Sequence, residues 1–173
     1  LLVTAAPALP PAASKADVGR KQAAAATIDA RRADLVSLAD QVWAFAETAL
    51  RETRSAALLA DYAEKQGFRV ERGVAGMPTA FVASYGQGRP VIAVLGEYDA
   101  LPGLSQKAVP ERAPLVDGAA GQGCGHNLFG AASLGAAVAV KDLMAAGKLT
   151  GTVRFYGTPA EETLIGKVYM LLD

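Results

Sequence analysis

The sequence predicts an α/β fold. Segments with helical periodicity alternate with segments of strand periodicity, and one of the strands is a continuous apolar run. The chain has 173 residues, of which 51% are hydrophobic, which is enough for a domain with a substantial core. Alternation of helices and strands along one chain is typical of helices packed on a sheet rather than of an all-α or all-β fold.

The first half of the chain begins with a helical pattern. From residue 16 to residue 50, apolar residues recur at steps of three and four with charged residues between them, which predicts a helical region. A second helix is expected over residues 53–66. Gly67 follows its last periodic residue and is a typical stop signal.

After this helix, apolar residues recur at every second position instead of at every third or fourth. Residues 68–74 alternate apolar and charged side chains, and residues 79–85 form a second strand candidate followed by a turn at residues 86–88. Residues 91–95 read Val-Ile-Ala-Val-Leu. A continuous apolar run of this kind is expected of a strand that is covered on both faces.

The second half contains a long loop, a helix, a strand and a further helix. Residues 102–122 are rich in proline, glycine and polar residues, and a long loop in a compact domain is usually functional or disordered. Residues 128–146 carry small side chains suited to close packing on a sheet. A strand is expected over 152–156, and a helix from about Glu162 to Asp173. No segment after the N-terminal leader is expected to span a membrane.

The charge balance and the N-terminus limit the possible partners. Lysine and arginine number 17, as do aspartate and glutamate, and the basic residues are scattered. Neither nucleic acid nor an anionic membrane is therefore an expected partner. Residues 1–16 are apolar and then rich in alanine and proline, so they are either a signal-peptide remnant or a disordered leader. The first alternative favours a periplasmic or secreted protein over a cytoplasmic one. Residues 17–173 are assigned to the domain itself.

The sequence contains one cysteine and one histidine, and they are only two residues apart. Cys124 and His126 are separated by a single glycine. A lone cysteine excludes an internal disulfide framework, so Cys124 is a buried apolar residue, a reactive thiol or a metal ligand.

Chemically active side chains lie in three segments at the ends of predicted elements, where open α/β sheets bind their ligands. Residues 96–103 follow the apolar strand and include Glu97 and Asp99, residues 123–127 include the Cys-Gly-His unit, and residues 157–162 follow the last strand and end in two glutamates. A thiolate, an imidazole and carboxylates are the ligands that zinc and similar divalent cations prefer.

Each of these segments also has a purely structural explanation. A Cys-x-His unit is often structural, two glutamates at a helix start complement its dipole, and Asp99 could be an ordinary turn residue. A thiol hydrolase with Cys124 as nucleophile and His126 as base is a further alternative. Two residues so close in sequence are poorly placed for it, because their side chains need not converge. The three segments together favour a metal site.

The same segments resemble a known family. The sequence is similar to the metallopeptidases and amidohydrolases that include aminoacylases, carnosine-type dipeptidases and plant auxin-conjugate hydrolases, in particular to the branch of aminobenzoyl-glutamate utilization protein B. The resemblance covers roughly residues 35–173. It rests on residues 43–50, 76–81, 95–103, 121–127 and 158–162. It implies a three-layer, zinc-peptidase-like catalytic domain, of which this chain would be the incomplete N-terminal part.

The resemblance also implies roles for individual residues. Two divalent metal ions, zinc or manganese, would be bound, with Cys124 bridging them and His126 binding one. Glu162 would be a metal ligand. Glu161 would be the general base and then the proton donor to the leaving amine.

Two further carboxylates receive supporting roles from the resemblance. Asp99 matches the carboxylate that orients the site. Glu97 falls where many relatives carry a metal-binding histidine, and it is expected to lie beside the metal ligands rather than to be one.

The resemblance finally implies an activity. The full protein would hydrolyse the amide bond of an N-acyl amino acid or a dipeptide, with an aminobenzoyl-glutamate-like substrate, by a metal-activated water. It would be a homodimer. No histidine follows His126, so further ligands and a second domain are expected beyond Asp173, and this chain alone is expected to be inactive. The alternative is a non-catalytic metal-binding or scaffold domain.

Overall fold

The structure, a computed structural model, describes residues 14–173. Most of the expected leader therefore lies outside the described residues. The first described residue, Ser14, caps the first helix: its hydroxyl accepts from the backbone amide of Asp17, and the Asp17 carboxylate accepts from the Ser14 backbone amide. Such a reciprocal cap satisfies two amides that the helix leaves without partners.

Three helices precede the sheet. They are α1 (Lys15–Ala30), α2 (Arg32–Phe45) and α3 (Thr53–Lys65). The single helical region expected over residues 16–50 is interrupted at Arg31, where the backbone leaves the helical conformation with φ −108° and ψ 10°. The region ends at Phe45 because Ala46 is left-handed, with φ 44°.

Four strands form one mixed sheet. They are β1 (Arg69–Arg72), β2 (Phe81–Gln87), β3 (Val91–Gly96) and β4 (Gly151–Gly157), in the order β1-β2-β4-β3. The β1–β2 and β2–β4 pairs are antiparallel, whereas β3 and β4 are parallel. The predicted α/β class and the positions of the strands are confirmed to within a few residues.

Two more helices complete the described part of the chain. They are α4 (His126–Ala145), which connects β3 to β4, and α5 (Gly166–Leu172). The helix expected to begin near Glu162 is wrong in its start: Glu161–Thr163 form a short 3-10 turn instead. The α-helix is delayed because Ala160 and Leu164 both adopt the left-handed conformation, with φ 56° and 60°.

The core lies between one face of the sheet and the helices. α4 contacts β3 and β4 as well as all three N-terminal helices, and α3 contacts β1 and β2. Large buried side chains at this interface include Leu59, Phe81, Leu134, Val138 and Phe155. On the opposite face, Met170 of α5 lines a cavity together with Val82 and Tyr156. Helices therefore lie on both sides of the sheet.

Strand β3 departs from the expectation that it is covered on both faces. Val91, Ile92 and Leu95 are 48%, 55% and 42% exposed. The reason is topological, because β3 is an edge strand and pairs only with β4 within residues 14–173. Its apolar run indicates an apolar edge in the described part of the chain.

Helix α4 is long and apolar enough, by length and composition alone, to cross a membrane. The expectation that no segment has this property was therefore wrong. Its position in the fold explains the composition, since α4 is the central helix of the core and ten of its residues are buried. A buried core helix passes the same composition test as a membrane span.

The parallel pair β3–β4 determines where the functional segments meet. Gly96 at the end of β3 is opposite Gly157 at the end of β4. The Thr158 amide then donates to the Gly96 carbonyl oxygen at 2.9 Å, which holds the two chain segments together just beyond the sheet. We call this edge, with residues 97–99, 124–126 and 158–162, the carboxyl edge.

Candidate metal centre

Three elements bring their chemically active side chains to the carboxyl edge. Glu97 and Asp99 follow β3, His126 is the first residue of α4, and Glu161 and Glu162 follow β4. All four of these carboxylates lie within 4 Å of a ring nitrogen of His126. The convergence expected from the sequence is thus observed for these residues.

Two glycines allow the start of α4 to enter this cluster. Gly125 has φ 89°, a conformation that side chains other than glycine rarely adopt, and it redirects the backbone between Cys124 and His126. Gly130, one turn into α4, lies against the end of β3. A Cβ atom there would lie 2.4 Å from the carbonyl oxygen of Glu97. The small residues of α4 therefore permit the close approach that places His126 between the two strand ends.

His126 uses both of its ring nitrogens. Nδ1 lies 2.9 Å from Oδ1 of Asp99 and 3.0 Å from the Asp99 carbonyl oxygen. Nε2 lies 3.0 Å from Oε2 of Glu97 and 3.6 Å from Oε2 of Glu161. A carboxylate at Nδ1 fixes the ring orientation and the tautomer, and leaves Nε2 as the ligand atom.

Asp99 connects two of the functional segments. It is almost completely buried, and while Oδ1 contacts His126, Oδ2 accepts a hydrogen bond from the Glu162 backbone amide at 2.9 Å. One carboxylate thus holds the start of α4 against the segment that follows β4. This contact agrees with the orienting role that the resemblance implies for Asp99.

The crowding of carboxylates changes the acidity of the two other donors. Burial lowers the pKa of His126, but the hydrogen bond and charge of Asp99 and the charge of Glu97 outweigh it, so the pKa is raised. Desolvation and the nearby charges of Glu162, Glu161 and Glu97 raise the pKa of the Cys124 thiol. Both shifts reflect a site with a large excess of negative charge.

The donors at the carboxyl edge fit divalent cations. Two groups have ligand atoms that all lie within 4.8 Å of one another: Cys124 with His126 and Glu162, and Glu97 with His126 and Glu161. Oε1 of Glu162 is buried and has no hydrogen-bond partner among the described residues. A buried carboxylate oxygen without a partner is costly, and a cation would compensate it. Thiolate, imidazole and carboxylate together suit zinc or a similar ion.

The two groups bear on the roles expected from the sequence. Cys124, His126 and Glu162, the expected metal ligands, form one complete group. Glu161 and Glu97 belong to the other, although neither was expected to be a ligand. The assignment of Glu161 as base and of Glu97 as a neighbour of the ligands stays a prediction.

The sequence did not reveal two further residues at this edge. The ammonium group of Lys167, in α5, forms an ion pair with Oε1 of Glu97. Oε1 of Glu52, at the start of α3, accepts from the Ala160 backbone amide at 2.8 Å, immediately before the glutamate pair. No local pattern could have identified them, because both contacts join residues 70 or more positions apart.

A cleft lies next to the candidate metal ligands. It has a volume of about 390 Å³ and is bordered by Gly123, the neighbour of Cys124, by Trp43 and Phe45 at the end of α2, and by the loop that contains Leu104 and Leu115. A larger, apolar groove between α1, α2 and α4 contains none of the candidate site residues. The cleft is therefore a concave surface beside the Cys-Gly-His segment.

Comparison with known proteins agrees with this geometry. Residues 93–172 match the description "Peptidase family M20/M25/M40". The chain is 50% identical, over 147 residues, to one of the subunits of p-aminobenzoyl-glutamate hydrolase from Escherichia coli K12, a match that covers 84% of this chain and 31% of that protein. It is 32% identical to Xaa-Arg dipeptidase of Mus musculus, and this match covers 95% of this chain and 38% of the relative. The chain thus spans about a third of the length of these relatives.

A solved structure has the same fold. The Bacillus subtilis YXEP protein, described as a dinuclear metal-binding peptidase of the M20 family, superposes with a TM-score of 0.71 at 28% identity. The match covers 83% of this chain and 39% of that protein. The α/β fold is therefore that of an M20 catalytic domain in part, as expected from the sequence. The match over residues 93–172 and the 50% identity to a subunit of the bacterial hydrolase show that this chain carries part of a peptidase domain of family M20/M25/M40.

Proposed function

We propose that the protein containing this chain is a metal-dependent amidohydrolase that cleaves the amide bond of an N-acyl amino acid or a dipeptide. The observation that carries the proposal is the convergence of Cys124, His126 and Glu162 with a second carboxylate pair around one imidazole. The chain covers about a third of its relatives, so the activity is proposed for the full-length protein.

Two divalent cations, zinc or manganese, complete the proposed site. Cys124, His126 and Glu162 would hold them, with Cys124 shared between the two. Bound there, the cations would polarise the substrate carbonyl and make a water acidic enough to attack at neutral pH. Asp99 keeps the Nδ1 proton of His126 in place, so that Nε2 presents its lone pair.

Glu161 is proposed to move the proton. Its side chain is 30% exposed, whereas that of Glu162 is 17% exposed, so Glu161 is the more accessible to water and substrate. As a carboxylate it accepts the proton of the attacking water and then delivers that proton to the nitrogen of the leaving amine.

The relatives support a substrate in which an acyl group is joined to an amino acid by an amide bond. One is named for hydrolysis of p-aminobenzoyl-glutamate and another for dipeptides. The cleft beside Gly123 offers aromatic side chains, Trp43 and Phe45, for an aromatic acyl group. We further propose that the full-length protein is a homodimer and that neither nucleic acid nor a membrane is a partner.

The surroundings of Cys124 argue against the thiol-hydrolase alternative. A nucleophilic cysteine needs a lowered pKa, whereas desolvation and the surrounding carboxylates raise the pKa of Cys124. Its expected base, His126, has both ring nitrogens directed at carboxylates. Metal binding gives both side chains a role that fits these contacts.

Metal content and hydrolysis of the full-length protein test the proposal. We expect about two divalent ions per chain, hydrolysis of aminobenzoyl-glutamate or a related N-acyl amino acid, and a dimer in sedimentation. Cys124→Ala should lose at least one ion, while the exposed Ser37→Ala, as a control, should lose none. Equal metal in wild type and Cys124→Ala would contradict the bridging role. A fully loaded protein without amidase activity would favour the scaffold alternative.

A further inference from the structure

Glu52 is a fully buried carboxyl group that the proposed mechanism does not use. It is 0% exposed, although it lies at the N-terminal boundary of α3, where glutamate is normally solvated. It does not cap its own helix, since no side-chain hydrogen bond is made there. Instead Oε1 accepts from the backbone amide of Ala160 at 2.8 Å, across 108 positions of sequence.

The amide that Glu52 holds belongs to a strained residue. Ala160 is 0% exposed and left-handed, with φ 56° and ψ 39°, a conformation that an alanine keeps only when its surroundings enforce it. The next two residues are Glu161 and Glu162. The orientation of this peptide therefore sets the direction in which both glutamate side chains leave the backbone.

The second carboxyl oxygen of Glu52 and a nearby hydroxyl group are left without hydrogen-bond partners. Oε2 of Glu52 and Oγ1 of Thr79 are both buried, and neither has a hydrogen-bond partner among the described residues. Thr79 lies beside the Glu52 carboxyl group. The Thr79 hydroxyl could pair with Oε2 as donor or as acceptor. An ionised carboxylate buried without a counter-charge is strongly disfavoured, however, and a protonated Oε2 would donate to Oγ1 of Thr79.

A further hydrogen bond connects Thr79 to the segment that follows β3. Tyr98, which lies between Glu97 and Asp99 in sequence, is fully buried. Its hydroxyl donates to the Thr79 carbonyl oxygen at 2.5 Å. Tyr98 is close enough to interact electrostatically with both Glu52 and Asp99. Burial raises the pKa of Tyr98 well above its usual value, so the phenol stays neutral. No cation faces Glu52 in this part of the described structure.

We propose that Glu52 is a positioning residue for the Glu161–Glu162 pair and acts as a neutral carboxylic acid. Its Oε1 accepts from the Ala160 amide, and its Oε2–H donates to Oγ1 of Thr79. Burial, which raises the pKa of Glu52 above its ordinary value, favours the same protonation state. The catalytic consequence rests on the proposed amidohydrolase function, whereas the hydrogen bond itself does not.

Glutamine should preserve both hydrogen bonds of a neutral Glu52. In Glu52→Gln the amide oxygen can accept from Ala160 and the NH₂ group can donate to Thr79, so both bonds are kept without a titratable group. Glu52→Leu has a similar size and keeps neither bond. Glu47→Gln, a change of a second glutamate that contacts the start of α3 but not Ala160, is the matched control.

Two measurements on the metal-loaded full-length protein test it. Hydrogen exchange of a peptide covering residues 158–163 should be unchanged in Glu52→Gln and Glu47→Gln and at least ~10-fold faster at Ala160 in Glu52→Leu. The kcat of Glu52→Gln should stay within about 3-fold of wild type, and that of Glu52→Leu should fall at least ~10-fold with little change in KM.

The outcomes separate this proposal from the proposed function. Equal loss of exchange protection in Glu52→Gln and Glu52→Leu would overturn the neutral-acid role, and unchanged protection in both would overturn the positioning role. If Glu52→Leu does not fold, Thr79→Val replaces it. That change removes only the acceptor of the Oε2 proton, and it should make exchange at Ala160 faster. A wild-type protein without amidase activity would refute the proposed function, while the exchange result would still decide the role of Glu52.

Discussion

The middle of strand β4 and the segment just beyond its end bury different kinds of groups. Val153 and Phe155 are enclosed by apolar neighbours, and the Phe155 ring lies 5.7 Å from that of Phe81. Just beyond the strand end, Glu161 and Glu162 face the buried imidazole of His126, and Oε1 of Glu162 lacks a hydrogen-bond partner among the described residues. The apolar side chains of the core pack against one another, whereas the carboxyl edge keeps a carboxylate oxygen without a partner that a bound cation would contact.

This difference separates the effects of substitutions. In the core a smaller side chain leaves a cavity, so the free energy of unfolding should fall while the chemistry is kept in molecules that fold. At the carboxyl edge, replacing a carboxylate by its amide keeps the volume and removes charge, so ligand binding or catalysis should change more than stability. Substitutions of Phe155 and of the Glu161–Glu162 pair test this contrast.

The largest expected effect on stability is that of Phe155→Ala. Phe155 is 0% exposed and contacts the Phe81 ring and the end of β3. We expect a loss of about 3–5 kcal/mol in the free energy of unfolding, measured by chemical denaturation of the full-length protein. Phe155→Leu is the graded control and should lose less than about 1.5 kcal/mol. A metal content per folded molecule that falls with Phe155→Ala would show that core and carboxyl edge are not independent.

The next prediction concerns the glutamate pair. Glu161→Gln should keep its metal and nearly normal substrate binding, while its kcat falls by at least ~10²-fold, because a positioned base has been removed. Glu162→Gln is the matched variant at the neighbouring position, and it should lose metal together with activity. Metal analysis and steady-state kinetics of the full-length protein distinguish the two.

The two roles would have to be exchanged if Glu161→Gln lost its metal and Glu162→Gln kept it. That outcome is structurally meaningful, because Glu161 lies in the group with Glu97 and His126 whose atoms could also hold a cation. If both variants remained active, the proposed mechanism would be wrong.

The sequence predicted the elements of the fold better than their surroundings. Periodicity placed β2, β3, β4 and α4 to within a few residues, because local alternation and small-residue spacing determine them. The apolar run of β3 did not predict its exposure, because exposure depends on the position of a strand in the sheet and not on its composition.

The candidate site was predictable where its residues are chemically distinctive. Cys124 and His126 are single residues of their types, and the paired glutamates follow a strand, so a pattern could identify them. Glu52 could not be identified in this way. In sequence it is an ordinary charged residue before a helix, and only the contact with Ala160 reveals its role. Residues that position others through long-range contacts leave no local signal.

The smallest expected effect is that of Glu47→Gln, and it depends on pH. Glu47 caps α3 from a distance: Oε1 accepts from the Arg54 amide at 3.1 Å, and Oε2 accepts from the Ser55 amide at 2.9 Å. Its backbone carbonyl oxygen accepts from Ala100 at 2.8 Å, close to the carboxyl edge. Unlike Glu52, it therefore acts at the start of α3 as a charged acceptor.

The sign of the pH dependence follows from the direction of the pKa shift. Burial raises the pKa of Glu47, but the hydrogen bonds from the amides and side chains of Ser55 and Arg54 outweigh it, so the pKa lies below the ordinary value of 4.5. A lowered carboxyl pKa in the folded state stabilises the protein above the unfolded-state pKa. The stabilisation is lost as the pH falls through the folded-state pKa.

We therefore expect Glu47→Gln to be less stable than wild type by about 0.5–1 kcal/mol at pH 7, the usual contribution of a charge at a helix N-terminus. The difference should shrink as the pH falls through the folded-state pKa, which lies below 4.5, because wild-type Glu47 then becomes neutral as well. Melting temperatures of both proteins, measured from pH 7 down to the lowest pH at which both still fold, test this. Glu71→Gln removes one negative charge from an exposed position of β1 and controls for net charge. A difference that grows on acidification would contradict the ionised cap, and with it the contrast between Glu47 and the buried, neutral Glu52.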